Sequence, residues 1–139
     1  MVILVPYDGS RPAQEAAERA FTRHPDEEIV LLHVIEVAGM LESGIDIIRE
    51  RLKEERQETA TELSDEIKEI IETGDVDFRV ETVVGKPARE IVEFAEAEEN
   101  DVDEILIGSH GRQGVSRVLL GDVAETVVRR SPVTVTVVR

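Results

Sequence analysis

Cysteine is absent from this chain of 139 residues, which excludes a disulfide frame, a thiol nucleophile and any Cys-based metal site. Long apolar runs are missing as well: nothing approaches the roughly 18 residues of a membrane span. The opening "MVILVPYDGS" is too short an apolar stretch for a signal peptide, and its acid comes too early. The cytoplasm is therefore the expected location, with no membrane partner. Basic residues are scarce, 16 Lys and Arg against 31 Asp and Glu, for a net charge of −15. That balance argues against nonspecific nucleic-acid binding and against anionic membranes, both of which need basic patches. Lysine is scarcest, at Lys53, Lys68 and Lys86 only. Abundant acid with little lysine predicts a protein that stays soluble at high salt, a halophilic pattern, because self-repulsion is screened there. An ordinary acidic cytosolic protein is the alternative.

What is present fits one globular domain over residues 1–139, with 41% hydrophobic residues for a core and 34% charged residues for a surface. No linker, repeat or low-complexity tract interrupts it, and "EVAGMLESG" (36–44) is the one candidate loop of any length. Unbroken apolar runs at 2–7 and 29–35 predict strands covered on both faces. Runs at 78–84, 104–108 and 133–138 bring the set to five. Helical spacing separates them. Ala13, Ala16, Ala17, Ala20 and Phe21 follow a Ser10 cap and Pro12. A long segment runs from Ile45 to Thr73, a third begins at Pro87, and Val123, Ala124, Val127 and Val128 mark the inward face of a fourth.

Alternating strands and helices predict an open five-stranded parallel α/β sheet with helices on both faces, Rossmann-like in outline. The segments 78–84 and 133–138 alternate polar and apolar most clearly, which makes them edges. The order 3-2-1-4-5 satisfies this, and its direction reverses between strands 1 and 4. Ligands of such sheets sit at the carboxyl ends flanking the reversal, here Asp8 and Gly108.

Gly108, Gly111 and Gly121 form a G-x2-G-x9-G spacing that leaves strand 4 and enters the last helix. Glycine permits positive φ and close backbone approach, and the turn with the helix's first amides can form an anion nest. Turn and cap glycines with no ligand are the alternative. The segment is neither G-x-G-x-x-G nor a Walker loop.

On these residues the chain resembles the universal stress protein family over its full length, from "VPYDGS" to "SPVTVTVVR". The family's own glycine motif has the same spacing, followed by Ser, Thr or Asn. The resemblance implies the 3-2-1-4-5 fold and an adenine-nucleotide site. It places Pro6, Tyr7 and Asp8 by the adenosine, Val34 backbone at the adenine, and Ile107, Gly108, His110, Gly111 and Arg112 at the ribose and phosphates. Gly121, Asp122 and Val123 complete the phosphate turn. The implied ligand is ATP, ADP or AMP, with Mg2+ only alongside a bound nucleotide. It also implies a homodimer through the last strand, 133–138, an apolar edge suited to self-pairing.

One position departs from the motif: Asp122 stands where the family has a small hydroxyl or amide residue. As an N-cap, Asp is as good as Ser and better matched to the helix dipole. The same carboxylate would compete for the amides that a β- or γ-phosphate needs. Two like charges about 4 Å apart repel by about 4 kcal/mol at an effective dielectric of about 20. Weakened triphosphate binding is expected, leaving AMP, ADP or no nucleotide open.

The remaining polar residues form no catalytic or metal-binding constellation, so none is assigned. Arg112 and Arg117 either neutralise phosphate or are solvated. His110 is a turn or hydrogen-bonding residue, His33 a satisfied core histidine, and His24 a helix end. Lys86 either leans over the crevice or is a solvated turn lysine. The expected function is a small regulatory module rather than an enzyme. The alternatives are a nucleotide-independent dimeric interaction protein and, third, a slow ATPase.

Overall fold

The structure is a computed structural model; it describes residues 1–36, 50, 68, 69, 72, 76–109 and 120–139. Its first strand, β1 (Val2–Pro6), places Ile3, Leu4 and Val5 wholly out of solvent, as an unbroken apolar run requires when both faces are covered. Parallel neighbours flank it: β2 (Glu28–Ile35) pairs from Val2↔Glu28 to Pro6↔Leu32, and β4 (Glu104–Gly108) pairs at Ile3↔Glu104. Outside these lie β3 (Phe78–Val84), on β2, and β5 (Thr134–Val138), on β4. The sheet is five-stranded, wholly parallel and ordered β3-β2-β1-β4-β5, so the sequence-predicted order holds, edges included. Both edges carry polar positions. Arg79 reaches Glu28 at 3.5 Å and Glu81 at 3.6 Å, and Thr136 Oγ1 donates to Glu104 Oε1 at 2.8 Å.

Helices cover the two faces. On one, α1 (Arg11–Arg23) starts at Ser10, whose hydroxyl accepts from the Ala13 amide at 3.3 Å, with Pro12 in the first turn. Its predicted apolar face is the one that packs: Ala13, Ala16, Ala17, Ala20 and Phe21 are buried with Ile3, Val5, Ile29 and Leu31. His24 ends the helix, its amide donating to the Ala20 carbonyl. Phe21 also meets Phe78 edge-on, centroids 5.6 Å apart. On the other face, α2 (Pro87–Glu96) and α3 (Asp122–Arg130) bury Ile91, Ala95, Ala124 and Val127 against Leu4, Val30, Leu32 and Ile105. The chain leaves α3 at Ser131 ahead of Pro132, whose ring disfavours helical geometry in the residue before it.

Three expectations need correction. Val128 is 44% exposed rather than inward, because α3 is short and its packed stripe is fully supplied by Ala124 and Val127. His33 is half-buried on β2 rather than a core residue. Strand 1 ends at Pro6, one residue early, although Tyr7 is still buried. Of the long 45–73 segment, only Glu50, Lys68, Glu69 and Glu72 are described; all four are helical and exposed. The rest of that segment, with its stop at Gly74 and the 37–44 part of the candidate loop, lies outside the described residues.

Candidate functional site

β1 and β4 are parallel neighbours whose carboxyl ends lie side by side, but the helices that follow them, α1 and α3, cover opposite faces of the sheet, and a crevice opens above the two ends. The Tyr7 amide still bonds the Leu32 carbonyl at 2.8 Å, holding the end of β1 on β2. Beyond it the chain turns sharply: Asp8 Oδ1 accepts from the Ser10 amide at 2.9 Å, with Gly9 between them at φ 81°. That positive φ suits glycine and little else. Gln14 Nε2 adds a bond to the Gly9 carbonyl at 3.1 Å. One Asp8 oxygen therefore orders the entry to α1.

The crevice is a cleft of about 260 Å³. Leu32 and Val34 of β2 and Ile107 and Gly108 of β4 supply its floor. Pro12 and Ala13 of α1 form one wall; Pro87 and Ile91 of α2, with Val123 and Ala124 of α3, form the other. Asp8, Ser10 and Glu36 stand as polar groups among these apolar ones. Mostly apolar walls with a few polar groups are the usual make-up of a small-molecule site. Among the described lining residues the only charged side chains are Asp8 and Glu36, both acidic. Among the described residues no cluster of His, Cys, Asp and Glu could hold a metal ion.

Of the sequence-predicted site residues, Pro6, Tyr7, Asp8, Val34, Ile107, Gly108 and Val123 meet at this cleft. Gly121 and Asp122 flank it without lining it. His110, Gly111 and Arg112, with Arg117, lie outside the described residues. Lys86 does not lean over the crevice. It borders a separate groove between α2 and α3, with Arg89 and Arg130. Sequence reasoning missed Leu32 and Glu36, although Leu32, Val34 and Glu36 follow the i, i+2, i+4 rule for one face of a strand. It also missed Pro12, Ala13, Pro87, Ile91 and Ala124, which only the packing of three helices brings to one place.

The glycine segment is corrected in two ways. Gly108 does not have a positive φ; it serves close packing. A Cβ there would lie 2.8 Å from Pro12 Cβ and would overlap the Pro12 carbonyl. The last helix is capped by Gly121, at φ −65° and ψ 159° and without a side-chain capping bond, while Asp122 is its exposed first residue. Glycine is itself an acceptable N-cap, so the helix has no need of the carboxylate there. In the first turn the negative charge still gains from the helix dipole. Asp122 thus sits beside the opening amides of α3 rather than in the cap position.

An open parallel α/β sheet of order β3-β2-β1-β4-β5 with helices on both faces and an apolar cleft at its switch point defines the class: an α/β domain of the doubly wound type. The universal stress protein family model matches residues 1–139, and the chain belongs to that family. Universal stress protein MJ0531 of Methanocaldococcus jannaschii is 36% identical over 143 residues, covering 99% of this chain and 81% of that protein. MJ0577 of the same organism is 37% identical over 156 residues, with 99% and 93% covered. The solved structure of MJ0577 superposes with a TM-score of 0.73 at 32% identity, over 99% of this chain and 94% of the other. Two more distant structures share the fold. A universal stress protein in complex with cAMP is 23% identical, with a TM-score of 0.63 over 100% of this chain and 96% of the other. A family protein of Arabidopsis thaliana with AMP bound is 17% identical, with a TM-score of 0.65 over 99% and 90%. No helix among the described residues is long and apolar enough to cross a membrane.

Proposed function

We propose that the cleft holds an adenine nucleotide and that the chain, a single domain, works as a regulatory binding module in the cytoplasm rather than as an enzyme. The observation that carries this reading is the position of the cleft: an apolar pocket above the carboxyl ends of β1 and β4, where open α/β sheets take their ligands. Relatives of the same fold hold cAMP and AMP. In this reading the sugar-base part lies on the apolar floor, and the phosphate meets the first amides of α3. Asp122 beside those amides disfavours extra phosphate charge, so AMP and ADP bind better than ATP, and Mg2+ enters only with a polyphosphate.

Calorimetry with AMP, ADP and ATP, each with and without Mg2+, tests it. Saturable heat with AMP at least as strong as with ATP is expected. No heat and no thermal stabilisation with any of them would sink the reading. Turnover of ATP lost on replacing Asp8 would instead make the chain an enzyme.

Homodimerisation through β5 belongs to the same proposal. The Val138 carbonyl accepts from the Ser109 amide, so Thr134, Thr136 and Val138 bond towards β4. Val135 and Val137 turn their backbone groups to the open edge, where a second copy can add. A second reading, a dimeric interaction protein indifferent to nucleotide, is favoured by Asp122 and by the exposed Val128. The same calorimetry separates the two.

A further inference from the structure

The described arginines fall into two groups. Arg11, Arg79, Arg89 and Arg129 each reach a carboxylate of the chain itself, at 3.4, 3.5, 2.9 and 2.8 Å. Arg19, Arg23, Arg130 and Arg139 reach none among the described residues. Three of these, Arg19, Arg23 and Arg139, line one groove of about 370 Å³ between the outer side of α1 and the end of β5. With 31 acidic residues against 16 basic ones, an arginine without a carboxylate is the exception, and three in one groove need a cause.

The acids that share the groove do not supply the missing partners. Glu15 is bound by Arg11 at 3.4 Å, and Glu18 is engaged already. The helix dipole accounts for Arg23, in the last turn of α1. It does not account for Arg19, a turn earlier, or for Arg139, which follows β5. All three are exposed, and each guanidinium offers a planar fork that matches a carboxylate. Arg19 and Arg23 stand four residues apart, a rise of about 6 Å along one side of the helix. Alternate residues of an extended peptide repeat at close to the same distance, about 6.6 Å.

We propose that this groove docks an extended acidic segment of a partner protein, with alternate carboxylates on Arg19 and Arg23 and a further one on Arg139. Clusters of arginine are a recurrent means of recognising acidic motifs. A short segment fits where a nucleic acid does not. The three charges form an island on a chain of net charge −15, and a long polyanion would run on into the acids around it. The groove shares no lining residue with the cleft, so the inference stands independently of the nucleotide reading.

The test is fluorescence anisotropy with a labelled peptide of alternating Glu and Thr, and with its Gln-Thr counterpart, at about 0.1 M salt, where the Debye length is roughly 10 Å. Saturable binding of the Glu peptide is expected, weakening as salt is raised, with none for the Gln peptide. Arg19→Ala, Arg23→Ala and Arg139→Ala should each weaken it about threefold, as loss of an exposed ion pair does, and the three together about tenfold or more. Arg89→Ala and Arg129→Ala remove arginines that are already paired and should change it little. All five positions are exposed, so the fold is kept, and circular dichroism checks that it is. No binding of the Glu peptide, or equal losses from Arg89→Ala, overturns the proposal. Equally tight binding of single-stranded DNA also overturns it, by making the groove a general anion site. A changed oligomeric state on replacing the three arginines, read by light scattering, overturns it in favour of a contact between copies of this chain.

Discussion

Replacing Gly108 with alanine separates a packing glycine from a ligand glycine. At this position φ lies outside the left-handed region, so alanine meets no backbone penalty. What it meets is α1. The added methyl would lie 2.8 Å from Pro12 Cβ and inside contact distance of the Pro12 carbonyl. The obstacle is helical backbone in the turn that Ser10 caps, which cannot swing aside as a flexible side chain would. Overpacking of this kind costs about 3 kcal/mol at the upper part of its usual range. Lower entropy of the unfolded chain returns about 0.7 kcal/mol for Gly→Ala. The net loss is about 2 kcal/mol, which for a chain of this length lowers the thermal midpoint by roughly 7 °C. Urea and thermal unfolding followed by circular dichroism, without nucleotide, measure it directly. A midpoint equal to or above wild type would refute the packing argument. If nucleotide affinity fell at the same time, Gly108 would be assigned to ligand approach instead.

Three further outcomes are expected. Asp122→Ser should strengthen ATP binding about threefold to tenfold at low salt and AMP binding less, with the gap closing as salt screens the charge; equal changes for both ligands in calorimetry would contradict this. Val135→Pro removes an amide from the open edge of β5 while the β4 ladder keeps its bonds. It should convert a dimer to a folded monomer in light scattering, and a persisting dimer would move the interface elsewhere. Raising KCl from about 0.1 M to about 1 M shortens the Debye length from roughly 10 Å to 3 Å. With a net charge of −15 this should raise the thermal midpoint, and a fall would argue against the halophilic reading.

The parts of the fold legible in the sequence are those governed by short periods. An unbroken apolar run such as Ile29–Leu32 marks a strand buried on both faces, and all four of those residues are fully buried. The α1 stripe of alanines was readable for the same reason, since 3.6-residue spacing admits one inward face. Edge strands followed from their alternation. The failures have a different cause. Gly121 and Asp122 are adjacent and both suit a helix start, so local chemistry does not choose between them. Val128 is as apolar as Val127, and only the way α3 packs, with Ala124 and Val127 inward, leaves it in solvent. Pro87, Ile91 and Pro12 reach the cleft through helix packing, which no local pattern encodes. Glu36 was hidden differently: the i+2 row from Leu32 runs past the end of the strand, where periodicity stops being used as a guide.

The three acids around the cleft, Asp8, Glu36 and Asp122, are all exposed, whereas Ile3, Leu4, Val5, Leu31 and Leu32 beneath them are shut off from solvent. If the cleft holds a nucleotide as proposed, recognition and folding are assigned to separate sets of atoms. In that reading, changing the collar of acids would re-tune which small molecule is welcome at little thermodynamic cost, because the acids are exposed and the residues beneath them are buried without them. A scaffold divided in this way can be handed from one ligand to another by substitutions at its rim, provided the close seat of α1 on Gly108 is left alone.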